Sequence, residues 1–308
     1  MSKKMQILAR SLFTLAFILL LAGSQAVLAQ RVLTGDWTAS LKNEESDKIH
    51  LSLERRTQRG DHNQMGQSYA FSELQGLTRE QALRGGPVKF SLVREAGTIE
   101  CEGSFQNGRG SGTFRFTANQ SFVSAMKSRG FDLEQSAPMR GDDDREIEDR
   151  LFSAAALNVT TALADDLLSA NFGKLYVDDL FKAAIFKIDS KFMREMKASG
   201  FPNLGMEELV KARIFKIDAD FVRQVTQMGF DRESFESLVK MRIFKVTPEF
   251  INEARNEGLT DLSVEDLVKM RIFNINAAFI RQAKAEGVPL NIESLVERRI
   301  GARHRDDN

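Results

Sequence analysis

Two rhythms of apolar residues divide the chain. From Gly35 to about Ala118 they alternate: Ile49, Leu51 and Leu53 in "KIHLSLERR", Val88, Phe90 and Leu92 in "VKFSLV", Phe114 and Phe116 in "GTFRFTA". A period of two marks strands with one buried face. Turn chemistry separates these runs, with "REAGT" around Gly97 and "QNGRG" around Asn107-Gly108, the latter a dipeptide suited to a two-residue hairpin. Thr78 and Gln81 stand in capping-box spacing in "LTREQALRGG", which predicts a short helix there. The pattern predicts about six antiparallel strands in a small sandwich or partly closed barrel, with Trp37 closing one end of its core.

Beyond this segment the rhythm becomes helical and repeats. "LVKARIFKIDADF", "LVKMRIFKVTPEF" and "LVKMRIFNINAAF" begin at Leu209, Leu238 and Leu267, a period of 29 residues. Leu151 and Leu180 open two earlier copies and Leu295 a partial one; a half copy, "RFTANQSFVSAMKSRGF", lies upstream. At one position of the unit stand Asn119, Thr160, Asp189, Asp218, Thr247 and Asn276, all side chains that accept hydrogen bonds from the free amides of a first helical turn. Pro248 follows Thr247, where its fixed φ and missing amide suit the first helical position. Eleven residues after each cap come Gly130, Asn171, Gly200, Gly229, Gly258 and Gly287, residues that enter the left-handed region cheaply and so end a helix. Each unit therefore carries one helix of about ten residues with a coded start and stop.

A second helix surrounds "EDLVKMRIF". Ser263 with Asp266 opens it as a variant capping box, and Ser234 and Asn291 are the matching caps. Its apolar stripe is read as Leu238, Val239, Ile243 and Phe244 in one copy and Leu267, Val268, Ile272 and Phe273 in the next. Phe186, Phe215, Phe244 and Phe273 recur at one position and Phe192, Phe221, Phe250 and Phe279 at another. A pair of helices this short cannot bury its own apolar face, so copies stack into a continuous core. At the end, Gly301 replaces the next Phe and the polar "ARHRDDN" follows, as an end cap requires.

The fold class expected is thus α+β: a small antiparallel β domain followed by an α-helical solenoid of 29-residue two-helix repeats. The expected domains are a signal peptide over 1–29, a β domain over 30–113, a half repeat over 114–135 and an acidic insertion over 136–150. Five helical repeats with a terminal partial repeat follow over 151–300, then a polar tail over 301–308.

Composition narrows the functions. The 43 basic residues equal the 43 acidic ones, which removes the electrostatic case for nucleic acid. Lys3, Lys4 and Arg10, then "SLFTLAFILLLAG", then Val27-Leu28-Ala29 before Gln30, follow the order of a cleaved secretory signal. The expected mature chain is exported, periplasmic or extracellular, without a stable membrane span; an uncleaved anchor is the alternative. Cys101 is the single cysteine, so no intramolecular disulfide forms, and its alternation with Ile99 and Phe105 places it in the core. His50, His62 and His304 share no metal-ligand spacing, so no metal or cofactor is expected. The Gly108–Gly112 run precedes a strand rather than a helix and reads as a hairpin, not a phosphate cradle. The acidic insertion lacks an EF-hand's ligand spacing and reads as a solvated linker. No catalytic motif is present, which predicts a protein that is not an enzyme.

Two charge rows stand out. Glu207–Lys211, Glu236–Lys240 and Glu265–Lys269 have the i, i+4 order that supports an exposed helix. Arg213, Arg242, Arg271 and Arg299 form the candidate interaction ladder. One reading has each stem packed and each guanidinium bonded to the neighbouring unit; the other is a row of cations facing an acidic polymer or a phosphorylated surface. Exposed positions that differ between copies, such as Arg194, Arg223, Asn252 and Gln282, are a second candidate face.

The "LVKMRIFKVTPEFI…EG" unit resembles the "VTPEF"-type tandem repeats in exported regions of some antibiotic-sensor-type membrane metallopeptidases and in stand-alone secreted relatives. "VREAGTIECEGSFQNGRGSGTFRF" resembles the β segment that precedes them. The resemblance implies this architecture in the bacterial envelope and no catalytic residue, because the zinc-binding His-Glu-x-x-His is absent. The expected function is an exported binding or scaffold protein whose helical surface engages another envelope protein. The alternative is an envelope sensor whose β domain holds a small ligand in an apolar cavity; a hydrolase is the third reading.

Overall fold

The computed structural model describes residues 32–43, 45–56, 62–134, 147–231 and 233–306. The expected signal peptide and residues 136–146 of the expected acidic insertion lie outside them. Two compact units form. One comprises the chain up to Val93 with Gly97–Ala118, the other Arg94–Ala96 with Asn119–Asn308.

In the first unit the strands are β1 (Leu33–Leu41), β2 (Lys48–Arg56), β3 (His62–Ala70), β4 (Leu74–Gln75), β5 (Gly86–Arg94), β6 (Gly97–Gln106) and β7 (Arg109–Ala118). They make one sheet in the order β3-β2-β1-β7-β6-β5-β4. The antiparallel β domain is as expected, with seven strands where about six were read, and of the arrangements expected the sandwich is replaced by a single sheet. The extra elements had no rhythm to betray them. In β3, "HNQMGQSYA", Tyr69 is the one fully buried residue among the described side chains, and β4 has two residues. Strand β7 also runs past the boundary expected at residue 113.

The expected local signals operate as read. Gln106 pairs with Arg109 across the Asn107-Gly108 turn, where both central residues have positive φ. Helix α1 (Arg79–Arg84) is opened by a reciprocal box: the Gln81 amide donates to Thr78 Oγ1 at 3.2 Å, and the Thr78 amide to Gln81 Oε1 at 2.8 Å.

The sheet core gathers on Trp37, which is fully buried. Its ring meets Phe90 edge-on with centroids 5.2 Å apart and lies 5.6 Å from Phe105. Its Nε1–H donates to the Glu102 carbonyl at 3.2 Å, so the indole is buried without a stranded donor. Gly103 and Gly112 face each other in the β6–β7 register beneath it. A Cβ at Gly103 would stand 2.2 Å from the Ser111 carbonyl oxygen and 2.7 Å from the Trp37 ring; at Gly112 it would stand 2.0 Å from the Glu102 oxygen. Those glycines make room for the indole and for close strand approach. Cys101 is buried beside them, and desolvation pushes its thiol pKa up to about 12, which leaves it protonated and inert.

The second unit is built from α2 (Gln120–Lys127), α3 (Ile147–Leu157), α4 (Thr161–Ser169), α5 (Val177–Phe186), α6 (Ser190–Ala198), α7 (Met206–Phe215), α8 (Ala219–Gln227), α9 (Phe235–Ile243), α10 (Pro248–Asn256), α11 (Val264–Ile272), α12 (Ala277–Ala285) and α13 (Ile292–Asp306). The odd-numbered helices from α3 to α13 pack each on the next. Helix α3 starts within the segment expected as linker. Helix α13 runs through Gly301 to Asp306, so most of the segment expected as a polar tail is helical.

Every expected cap of the even-numbered helices bonds a first-turn amide: Asn119 accepts from Ser121, Thr160 from Leu163, Asp189 from Phe192, Asp218 from Phe221, Thr247 from Phe250 and Asn276 from Phe279. The expected stops are also left-handed, from Gly130 (φ 90) and Asn171 (φ 50) to Gly287 (φ 78). At Gly229 the next amide, Phe230, reaches back to the Val225 carbonyl at 3.2 Å, the bond of a Schellman stop.

A second set of stops ends the odd-numbered helices and has no glycine. Asn158, Lys187, Lys216, Lys245 and Asn274 all have φ between 51 and 57. After each, the next amide bonds back: Val159 to Ala154, Ile188 to Ala183, Ile217 to Ala212, Val246 to Met241 and Ile275 to Met270, at 2.8–3.0 Å. The side chains bearing those amides are buried. That burial holds the chain in a region costing a residue with a Cβ about 1–2 kcal/mol.

Among the described residues no single helix is long and apolar enough to cross a membrane; α3 and α4 pass together only as a pair bent by 80°.

Candidate interaction surface

The array offers two rows of helices. On the even-numbered row the phenylalanines Phe192, Phe221, Phe250 and Phe279 are buried as expected. On the odd-numbered row the residues ending each helix behave differently from one another, and "RIFK" resolves into four separate tasks.

The arginine of each copy reaches back to the unit before it. Arg213 Nη2 donates to the Lys187 carbonyl at 2.7 Å, Arg242 to Lys216 at 2.7 Å, Arg271 to Lys245 at 2.6 Å, and Arg299 to Asn274. Each acceptor is the left-handed residue of the preceding stop. Each guanidinium also lies over a ring, 3.7 Å from the centroid of Phe192, 3.6 Å from Phe221, 3.7 Å from Phe250 and 4.1 Å from Phe279. Burial holds the Arg242 and Arg271 groups below their ordinary pKa. The arginines therefore clamp neighbouring units, as the first of their two readings had it. Ala184 fills the equivalent place in the copy that opens at Leu180 and makes no such clamp.

The lysines also pair between units. The expected i, i+4 pairs within a helix are replaced by Lys182 to Glu207 at 2.7 Å, Lys211 to Glu236 at 2.9 Å, Lys240 to Glu265, and Lys269 to Glu293 at 3.5 Å. Stacked helices bring the next unit's acid as near as the helix's own, and the side chain takes that partner. Hydrogen bonding to Glu236 raises the Lys211 pKa.

The remaining two residues of "RIFK" correct the sequence reading. The isoleucines assigned to the buried stripe face solvent, Ile243 and Ile272 each 50% exposed, and so do Ile185 (51%) and Ile214 (54%) at the matching positions. The adjacent Phe186, Phe215, Phe244 and Phe273 are half-buried rather than core. At 100° per residue, the Ile and Phe lie beyond the arc that the earlier Leu, Val and Met or Ala of each helix bury. Lys187, Lys216 and Lys245 are exposed and have no ion-pair partner among the described residues.

On the other row, Arg194, Arg223 and Asn252 are exposed as expected. The 29-residue register continues to Arg281 rather than Gln282, and both are exposed.

Among the described residues of the β unit, the clefts found are open and at least partly polar. The interior of the unit is filled by the Trp37 cluster. A cleft of ≈ 500 Å³ on it is open and lined by Asp36, Lys89, Glu100, Glu102 and Arg115 among others, charges already paired as Lys89–Glu102 and Arg115–Glu100. No group of three or more His, Cys, Asp or Glu able to hold a metal occurs among the described residues.

No protein-family model, curated protein or solved structure matches the chain.

Proposed function

We propose that this is an exported, non-enzymatic binding protein of the bacterial envelope, whose helical array engages another protein. The observation that carries the reading is the array itself. Its units are joined by caps, clamps and ion pairs that satisfy one another, and its surface carries exposed side chains in register, the arrangement of a repeat scaffold. The export signal read over residues 1–29 and the resemblance to envelope repeat proteins support the location. The paired charges of the β-unit cleft and its filled interior favour this reading over a sensor.

The test is affinity capture from envelope extract with the mature chain as bait, quantified by mass spectrometry against a bait unfolded in urea and immobilised. Reproducible enrichment of one protein by the folded bait is expected. No enrichment, together with binding of a member of a small-metabolite library, would replace the scaffold reading by the sensor.

A further inference from the structure

A half-exposed isoleucine recurs in the units from Leu180 onward, at Ile185, Ile214, Ile243, Ile272 and, on α13, Ile300, whereas the unit that opens at Leu151 has a buried Ala156 in that place. Exposed positions of the even-numbered row are less constant: Lys191 gives way to Asp220, Glu249 and Ala278, and Asn252 interrupts Arg194, Arg223 and Arg281. Within one chain built from copies, then, a solvent-facing Ile has been kept where other solvent-facing residues diverged. The Glu and Lys that also recur are accounted for by their ion pairs and the Arg by its clamp. The Ile has no such account.

A second observation points the same way. Lys187, Lys216 and Lys245 sit two residues after those isoleucines, at positive φ, where glycine would cost less. Keeping a lysine at that cost, three times, indicates that the ammonium is used. The other lysines of these helices, Lys182, Lys211, Lys240 and Lys269, are neutralised in the Lys–Glu pairs. The row of isoleucines is therefore accompanied by unneutralised lysines.

We infer that this Ile–Lys stripe docks an acidic amphipathic α-helix of a partner protein, laid across successive units; the inference rests on the binding function proposed above. The spacing selects the occupant. Packed helices stand about 8–10 Å apart, so consecutive isoleucines advance by about that step. A helix rises about 1.5 Å per residue, so apolar side chains at every seventh position advance about 10.5 Å and meet one unit each. A strand, with same-face residues about 6.6 Å apart, falls out of step. Acidic residues beside the apolar row would face Lys187, Lys216 and Lys245.

Fluorescence anisotropy with the mature chain tests this. The probe is a fluorescein-labelled four-heptad peptide with leucine at the first and fourth heptad positions and glutamate flanking them; a scrambled peptide of the same composition is the control. The ordered peptide is expected to bind at least tenfold more tightly than the scrambled one. Ile214→Ser with Ile243→Ser, both exposed, should remove that advantage. Lys216→Gly with Lys245→Gly should weaken binding severalfold and flatten its salt dependence without loss of stability. Equal binding of the two peptides, or serine variants that bind as the parent does, would overturn the inference. So would sedimentation with anionic phosphatidylglycerol vesicles that depends on the same residues while the peptides show no preference. In the capture experiment, a partner retained equally by the serine variant overturns the stripe and leaves the binding function standing.

Discussion

The sheet unit and the helical array solve the same problem, burying apolar surface, in opposite ways. The sheet does it once, around one residue. Trp37 organises Phe90, Phe105, Gly103 and Gly112 across strands that are far apart in sequence, and none of these contacts recurs. The array does it by repetition: a cap, two stops, a phenylalanine, an arginine clamp and an ion pair, reissued from copy to copy with few exceptions such as Ala184. A defect in the sheet should therefore reach the whole unit, whereas a defect in the array should remain near the two units that share it. Trp37 is also the chain's one tryptophan, so its fluorescence follows the sheet while helical circular dichroism follows the array.

The sharpest test of that contrast is Gly103→Val. Its Cβ meets the Ser111 carbonyl oxygen and the Gly112 Cα as well as the buried Trp37 ring, and overpacking of this kind costs about 3 kcal/mol. The tryptophan transition in urea should fall accordingly and the helical transition should stay. Cys101 gives an independent readout, because a thiol reagent should modify it in this variant and not in the parent. Movement of both optical transitions together would mean that the two units unfold as one.

Phe221→Ala comes next, at about 3 kcal/mol for a buried phenylalanine. The helical transition should broaden or split, as one junction weakens, with tryptophan fluorescence unchanged. A uniform shift without broadening would show the array to be more cooperative than its nearest-neighbour contacts suggest.

Arg242→Met removes a cation from the Phe221 ring and a donor from the Lys216 carbonyl. The expected loss is about 1–2 kcal/mol. A double-mutant cycle with Phe221→Leu isolates the ring contact, and a coupling indistinguishable from zero would reassign the arginine to solvation alone.

The smallest effect has the opposite sign. Lys216→Gly relieves a left-handed residue of about 1–2 kcal/mol and loses about 0.5–1 kcal/mol to the greater freedom of glycine in the unfolded chain. A net gain of about 0.5 kcal/mol should appear as a higher urea midpoint. A loss would mean that the Lys216 side chain stabilises the array itself, and would remove one of the two supports of the docking stripe.

Much of the array was legible in the sequence because its determinants are local. A cap such as Asp218 and a stop such as Gly229 act within a turn or two of themselves, and the 29-residue recurrence supplies the stacking. The sheet was legible only where one face is apolar, as along Ile49, Leu51 and Leu53. The neighbouring strand β3 is polar on most positions and could not be read.

The candidate surface was the least legible part. Alternation and heptad rules sort residues into inward and outward, but they cannot rank Ile214 against Leu209, Val210 and Ala212 when all four compete for one buried arc. Sequence spacing likewise offers Lys211 two acids, Glu207 in its own helix and Glu236 in the next. The choice of Glu236 follows from where stacking places the neighbour.

By itself, then, the sequence determined the two architectures, the starts and glycine stops of the helices, and the burial of Trp37, Cys101 and the Phe221 row, because short-range geometry and apolar periodicity decide those. Only the tertiary structure decided which lysine meets which acid, that the arginines clamp left-handed carbonyls one unit back, and that the isoleucines are left facing solvent. Each of those is a choice among partners of similar chemistry, and it is settled by distance between chain segments that the linear order does not contain.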